Sequence, residues 1–150
     1  MAFTGNAFCT SAKVGFLKGL YTPLTDTMKI ALYTNTATLD ATTTVYTAAV
    51  DPAAPSTGEV SNSGTNYTAG GNTLANTAIS YAGTTAWITF DNSSWISSTI
   101  TARGALIYDS TRSNAAIAVL DFGSDKTTTT GTFTVQMPVA AASTALIRIA

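Results

Sequence analysis

Histidine is absent from this chain, and glutamate and cysteine occur once each, as Glu59 and Cys9. Proton transfer and metal ligation draw mainly on histidine, paired carboxylates and cysteine clusters, so the composition speaks against an enzyme and against any metal or cofactor. A lone cysteine forms no intrachain disulfide. With no imidazole to activate it as a nucleophile, Cys9 reads as a buried structural thiol. Charge is scarce too: 10% of the 150 residues are charged, and the net charge is −1. The seven lysines and arginines are spread thinly and offer no basic stripe for phosphate contacts, so nucleic acid is not an expected partner. Residues 1–10 carry neither the positive charge nor the long apolar core of a secretory signal, and no apolar run approaches the length that spans a bilayer. No membrane partner is expected.

Threonine makes up a fifth of the chain. Its branched Cβ favours extended backbone, and its hydroxyl can face water, which suits a pleated, half-buried surface. With 45% hydrophobic residues and little charge, the sequence has the opposite balance to a disordered chain and predicts one folded domain. Copies this weakly charged repel one another little, as a densely packed assembly requires.

Residues 1–10 read as an arm carrying Phe3 and Phe8 on a backbone loosened by Gly5-Asn6, and residues 11–150 as a single β-sandwich domain. The one helical candidate is residues 11–21, with Val14, Leu17 and Tyr21 on one face, Ser11 as cap and Pro23 closing it. Beyond Pro23 the period becomes two. Residues 28–33 alternate as a strand, Val45-Tyr46 is a short strand, and residues 50–58 form a loop around Pro52 and Pro55. Residues 74–81 and 86–90 predict a hairpin turning at Gly83-Thr84. Residues 102–108 and 115–122 are apolar on both faces, which predicts a central antiparallel hairpin covered on two sides. A loop over 125–130, a strand through Phe133 and Val135, and a closing strand over 145–149 complete an all-β, antiparallel sandwich with one short helix.

Several motifs reduce to structure. Asp121-Phe122-Gly123 matches the magnesium-holding tripeptide of protein kinases, but the glycine-rich and catalytic loops that this chemistry requires are missing. Asp121, Asp125, Asp109 and Asp91 form no dense calcium-binding loop. Asn66-Tyr67-Thr68 and Asn92-Ser93-Ser94 match a glycosylation pattern that arises by chance in a chain rich in serine and threonine. Tyr67, Trp87 and Trp95 could stack on a sugar ring or pack in a core. Of these, Trp95, just after a turn, is the best candidate for exposure, with Tyr67 as a second aromatic contact.

Five segments in order carry a resemblance: Thr25-Asp26-Thr27-Met28-Lys29-Ile30-Ala31-Leu32-Tyr33-Thr34, Tyr67-Thr68-Ala69-Gly70-Gly71, Ala102-Arg103-Gly104-Ala105-Leu106-Ile107-Tyr108-Asp109, Ala118-Val119-Leu120-Asp121-Phe122-Gly123 and Ala145-Leu146-Ile147-Arg148-Ile149. Together they resemble a family of small tailed-bacteriophage virion structural proteins. The loop around Pro52 and Pro55 is longer than is usual there, and the arm is not strongly matched. The resemblance implies a non-enzymatic virion component made in the host cytoplasm, and transfers no catalytic or binding residue. A capsid decoration protein is the favoured reading, partnered by the major capsid protein or other virion proteins and present in many copies or as a homo-oligomer. A tail, collar or fibre-base component is the alternative, and a carbohydrate-binding module the alternative of another class. Phe3 and Phe8 are expected to dock on a neighbouring subunit or the capsid, supported by Phe16 and Leu17. The opposing expectation is that both rings close the end of their own domain.

Overall fold

The computed structural model describes residues 3–150. In chain order its elements are β1 (Ala7–Phe8), α1 (Thr10–Leu17), β2 (Met28–Tyr33), β3 (Asn72–Thr73), β4 (Ala78–Ala82), β5 (Thr85–Thr89), β6 (Ser93–Ser98), β7 (Thr101–Asp109), β8 (Ala115–Thr127), β9 (Gly131–Val135) and β10 (Ile147–Ile149). The protein is all-β with one short helix, and every strand pair is antiparallel.

The two runs that are apolar on both faces become β7 and β8, the centre of a five-stranded sheet in the order β1-β8-β7-β2-β3. Leu106 pairs with Val119 and Ala105 with Leu120. Leu106, Ile107 and Val119 are wholly buried and Leu120 nearly so, as runs covered on two sides must be. A three-stranded sheet, β10-β5-β4, and the pair β6-β9 pack around the same apolar cluster, to which they contribute Ile88, Ile147, Trp95 and Phe133. The β4–β5 hairpin turns at Gly83-Thr84 as its sequence predicts, with Ala82 opposite Thr85.

The helix is shorter than its pattern. Cys9 rather than Ser11 occupies the cap position, with no side-chain cap bond. The helix stops four residues early because Gly19 adopts φ +67°. The Gly19 N–H donates to the Phe16 carbonyl at 3.0 Å and the Leu20 N–H to that of Gly15 at 2.9 Å, the paired bonds of a glycine-terminated helix end. Other boundaries shift for tertiary reasons. β8 continues to Thr127, through much of the expected 125–130 loop, because Lys126 and Thr127 still find partners in Ala102 and Thr101. Val45 makes only one bridge, to Ala115. The strand expected over 74–81 starts at Ala78, since the Leu74 N–H bonds to the Met28 carbonyl of β2 at 2.9 Å and Asn76, at φ +51°, turns the chain before β4 begins. In the closing strand only 147–149 are paired.

The arm corrects the expectation of a free docking element. Ala7 and Phe8 form β1, which pairs with Val119 and Ala118 at one edge of the large sheet. The Asp121 N–H donates to Asn6 Oδ1 at 2.7 Å. Phe3 is 4% exposed and bridges Leu39. Its ring lies so near Gly104 that a Cβ there would stand 2.4 Å from it. Ordering this segment costs about 1–2 kcal/mol per residue, and the receiving surface that offsets the cost is its own domain. Phe3→Ala is therefore expected to lower the unfolding free energy by about 3–5 kcal/mol, as for a core phenylalanine. Urea denaturation checks this, and a loss typical of a surface residue would contradict it.

Candidate functional site

The chain's single glutamate is buried at the outer edge of β2. Two short pieces of chain reach that edge. Residues 58–60 bond to it through Val60 N–H to the Leu32 carbonyl (2.9 Å) and Thr34 N–H to that of Gly58 (2.8 Å). β3 pairs with Lys29 and Ile30. Between the two, the Leu32 N–H donates to the Tyr67 hydroxyl oxygen at 3.0 Å. Tyr67 in turn donates to Glu59 Oε1 (2.8 Å), which also accepts the Gly70 N–H (2.7 Å), while Tyr46 donates to Oε2 (2.9 Å). Tyr108 stacks on Tyr46, with ring centroids 4.3 Å apart, and donates to the Gly70 carbonyl at 2.8 Å. Burial, reinforced by the Glu59 charge, pushes the Tyr108 phenol up to about 12 and raises Tyr46 and Tyr67 likewise. These phenols stay protonated and serve as donors. Gly71, at φ +68°, lies against the β2 backbone, where a Cβ would stand 1.8 Å from the Ile30 carbonyl oxygen. Only glycine fits there.

A second polar cluster lies at the other end of β2. Asp109 is fully buried; its Oδ1 accepts the Thr111 and Arg112 N–H groups at 2.9 and 3.1 Å, and its Oδ2 has no partner among the described residues. Beside it, Asp26 accepts from Arg112 (3.1 Å) and from the Thr22 N–H (2.7 Å). Burial, then the neighbouring Asp26 charge, raises the Asp109 carboxyl. Burial would also raise Asp26, but the Arg112 and Thr22 hydrogen bonds outweigh it and bring Asp26 down to about 2. The cluster ties the 22–27 segment to the β7–β8 turn; the Ser110 N–H adds a bond to the Thr27 carbonyl at 3.0 Å.

The residues singled out from sequence are dispersed. Trp95 and Tyr67, expected as an exposed aromatic contact, are 4% and 3% exposed, with ring centroids 6.0 Å apart in the core. A turn precedes Trp95, but β6 aims its side chain inward at Phe133, 6.2 Å away. Trp87 is buried as well. Phe3 bridges Leu39, whereas Phe8 pairs with Ala118. Phe8 and Phe16 do meet, edge to face at 5.8 Å, and Phe16 continues to Tyr21 at 5.2 Å. Leu17, beside them in sequence, is 90% exposed. Cys9 is fully buried, and burial, then the Asp40 charge, pushes its thiol up to about 11, which makes it a poor nucleophile. Asp121 forms an ion pair with Arg103 at 3.1 Å, and Asp125 accepts from Asn35. Among the described residues no group of three cysteine or acidic side chains converges as metal ligands would.

Of the concavities among the described residues, two lie over apolar side chains. A shallow groove of about 540 Å³ between β8 and β9 has Phe122, Phe133 and Val135 beneath threonine rims. An apolar groove of about 200 Å³ lies between α1 and the three-stranded sheet, lined by Phe8, Phe16, Tyr21, Ile79, Ile88 and Ile149 among others. Neither holds a constellation of acid, base and nucleophile. No protein-family model, curated protein or solved structure matches this chain.

Two predictions follow from the polar clusters. Glu59→Ala strands two buried phenols and the Gly70 N–H, so it should cost about 3–5 kcal/mol, more than the roughly 1–3 kcal/mol of Tyr46→Phe; equal losses in denaturant unfolding would contradict this. The second concerns pH. Asp109 binds its proton more tightly folded than unfolded, so its charge opposes folding at neutral pH, and that penalty fades as the pH falls through its raised folded value. Asp26 contributes stability above its unfolded value near 3.8 and loses it as the pH falls towards about 2. Melting temperature should therefore rise on mild acidification before it falls. Asp109→Asn should melt higher than the parent at pH 7, by a margin that shrinks on acidification. A lower melting temperature for Asp109→Asn at neutral pH would contradict this.

Proposed function

We propose that this chain is a non-enzymatic structural protein of a bacteriophage virion, a decoration protein seated on the capsid in many copies. The observation that carries the reading is how the reactive side chains are used. Glu59, Asp109 and Cys9 are all buried in the domain's own interior. Parts of the surface are threonine and serine hydroxyls that bond to one another, such as Thr101 to Thr127 at 3.0 Å, Ser94 to Thr134 at 2.8 Å and Thr34 to Thr36 at 2.8 Å. Such a face carries little charge and few groups for chemistry, and suits close packing against other virion proteins. The ordered sequence blocks that resemble small tailed-phage structural proteins support the same reading. A tail, collar or fibre-base component would share these traits and differ in copy number. The carbohydrate-binding alternative loses its support, because Trp95 and Tyr67 are inside.

Electron microscopy of the virion, with quantitative mass spectrometry of its proteins, tests the reading. The expected result is density for this domain repeated over the capsid, at a copy number comparable to that of the major capsid protein. Density confined to a single ring at the tail would favour the alternative. Absence from purified particles would overturn the virion assignment.

A further inference from the structure

The sheet edges of this protein are treated unequally. The large sheet ends on one side in the two-residue strand β1 and on the other in β3 together with residues 58–60. In the three-stranded sheet, β4 pairs with β5 on one side only, and all five of its residues are exposed. Ala82 and Thr85 flank a two-residue turn and form a hydrogen-bonded pair, so by antiparallel alternation Ser80 bonds to Trp87, while the N–H and C=O groups of Ile79 and Tyr81 point away from β5. Those outward groups have no partner among the described residues.

Natural edges are guarded by charge, proline, bulges or covering segments. β4 has none of these: its sequence is Ala-Ile-Ser-Tyr-Ala, its pairing with β5 is regular, and no residue from Val60 to Phe90 is charged. Ile79 is 49% exposed and Tyr81 77%. Both point to the sheet face that carries their cross-strand neighbours Ile88 and Ala86, the face that forms the 200 Å³ apolar groove.

We infer that β4 pairs antiparallel with β4 of a second copy about a two-fold axis through Ser80, joining two three-stranded sheets into one of six strands. An antiparallel strand is its own complement under a two-fold, as an isologous interface requires. In this register Ile79 and Tyr81 face Tyr81 and Ile79 of the second copy, and their outward groups exchange four backbone hydrogen bonds. Each match is an aromatic against a β-branched side chain, a favourable cross-strand pair. Each Tyr81 then leans over the other copy's groove. That groove can hold one ring, since an apolar cavity of roughly 150 Å³ takes up benzene. Strand pairing of this kind is an established mode of recognition. Five residues a side fall short of the about 20–30 of a standard interface, so the contact is weak in dilute solution and strengthens where copies are concentrated.

Register-specific cross-linking tests it. In the proposed pairing Ser80 meets its symmetry mate at a non-hydrogen-bonded position, with Cα atoms about 4.5 Å apart, within the roughly 4.4–6.8 Å that a disulfide spans. Ala82 faces Ala78 instead, which leaves it roughly 13 Å from its own mate at 3.3 Å per residue. Ser80→Cys is expected to give a covalent dimer under mild oxidation, and Ala82→Cys is not; the native Cys9 is fully buried and does not compete. Adding Tyr81→Pro, which removes an outward donor and no bond to β5, should abolish the dimer. Tyr81→Lys, at an exposed site, should do the same without risk to the fold. No dimer from Ser80→Cys, equal rates at 80 and 82, or dimers that survive both Tyr81 variants would overturn the inference, including the case in which β4 serves a strand from a different protein.

Discussion

The outer edge of β2 is the constraint on which much of the domain depends. β2 lies beside the central β7–β8 hairpin, yet no full strand covers its far side. Two fragments, residues 58–60 and β3, cover parts of it, and the Tyr67 hydroxyl satisfies the Leu32 N–H left between them. Glu59 joins these parts: it accepts from Tyr46, Tyr67 and the Gly70 N–H, and so holds three points of the long 34–71 connection in one place. A carboxylate away from water is costly unless its oxygens are satisfied. Here the cost is offset by three donors, and the result is a defined path for a connection that its own sequence would leave loose.

The asymmetry between edges follows. Where the fold closes an edge, it does so with buried polar groups and glycines that allow backbone to approach backbone, as at Gly71. β4 receives no such closure. In the proposed pairing the β4 edge is the surface that engages a second copy, while the hydroxyl-rich faces stay quiet. This division fits the virion reading without depending on it.

How much was legible in the sequence depended on the range of the signal. The β7–β8 hairpin, β2 and the β4–β5 turn were readable because alternation and turn residues are local. The end of α1 is not legible, because Gly19 stops the helix through a positive φ, which hydrophobic spacing does not encode. The burial of Trp95 is not legible, because a turn before a residue says nothing about which face of the next strand it occupies. Phe3 and Phe8 looked unsupported because their supports, Gly104, Leu39 and β8, lie far along the chain. The Glu59 centre gave almost no signal. A lone glutamate in a loop is ordinarily solvated, and only its being the single one, with Gly70-Gly71 and three tyrosines elsewhere, hinted at a buried role.

The claim that Glu59 fastens the long connection to the sheet is tested most directly by native-state hydrogen exchange at two amides, Gly70 and Leu32. One belongs to a loop, and the other bonds to a side chain rather than to a strand. Both should exchange only through global unfolding, with the same free energy as Leu106 and Val119 in the central hairpin. Exchange of the Gly70 amide through a low-energy local opening, while the hairpin stays protected, would contradict the account.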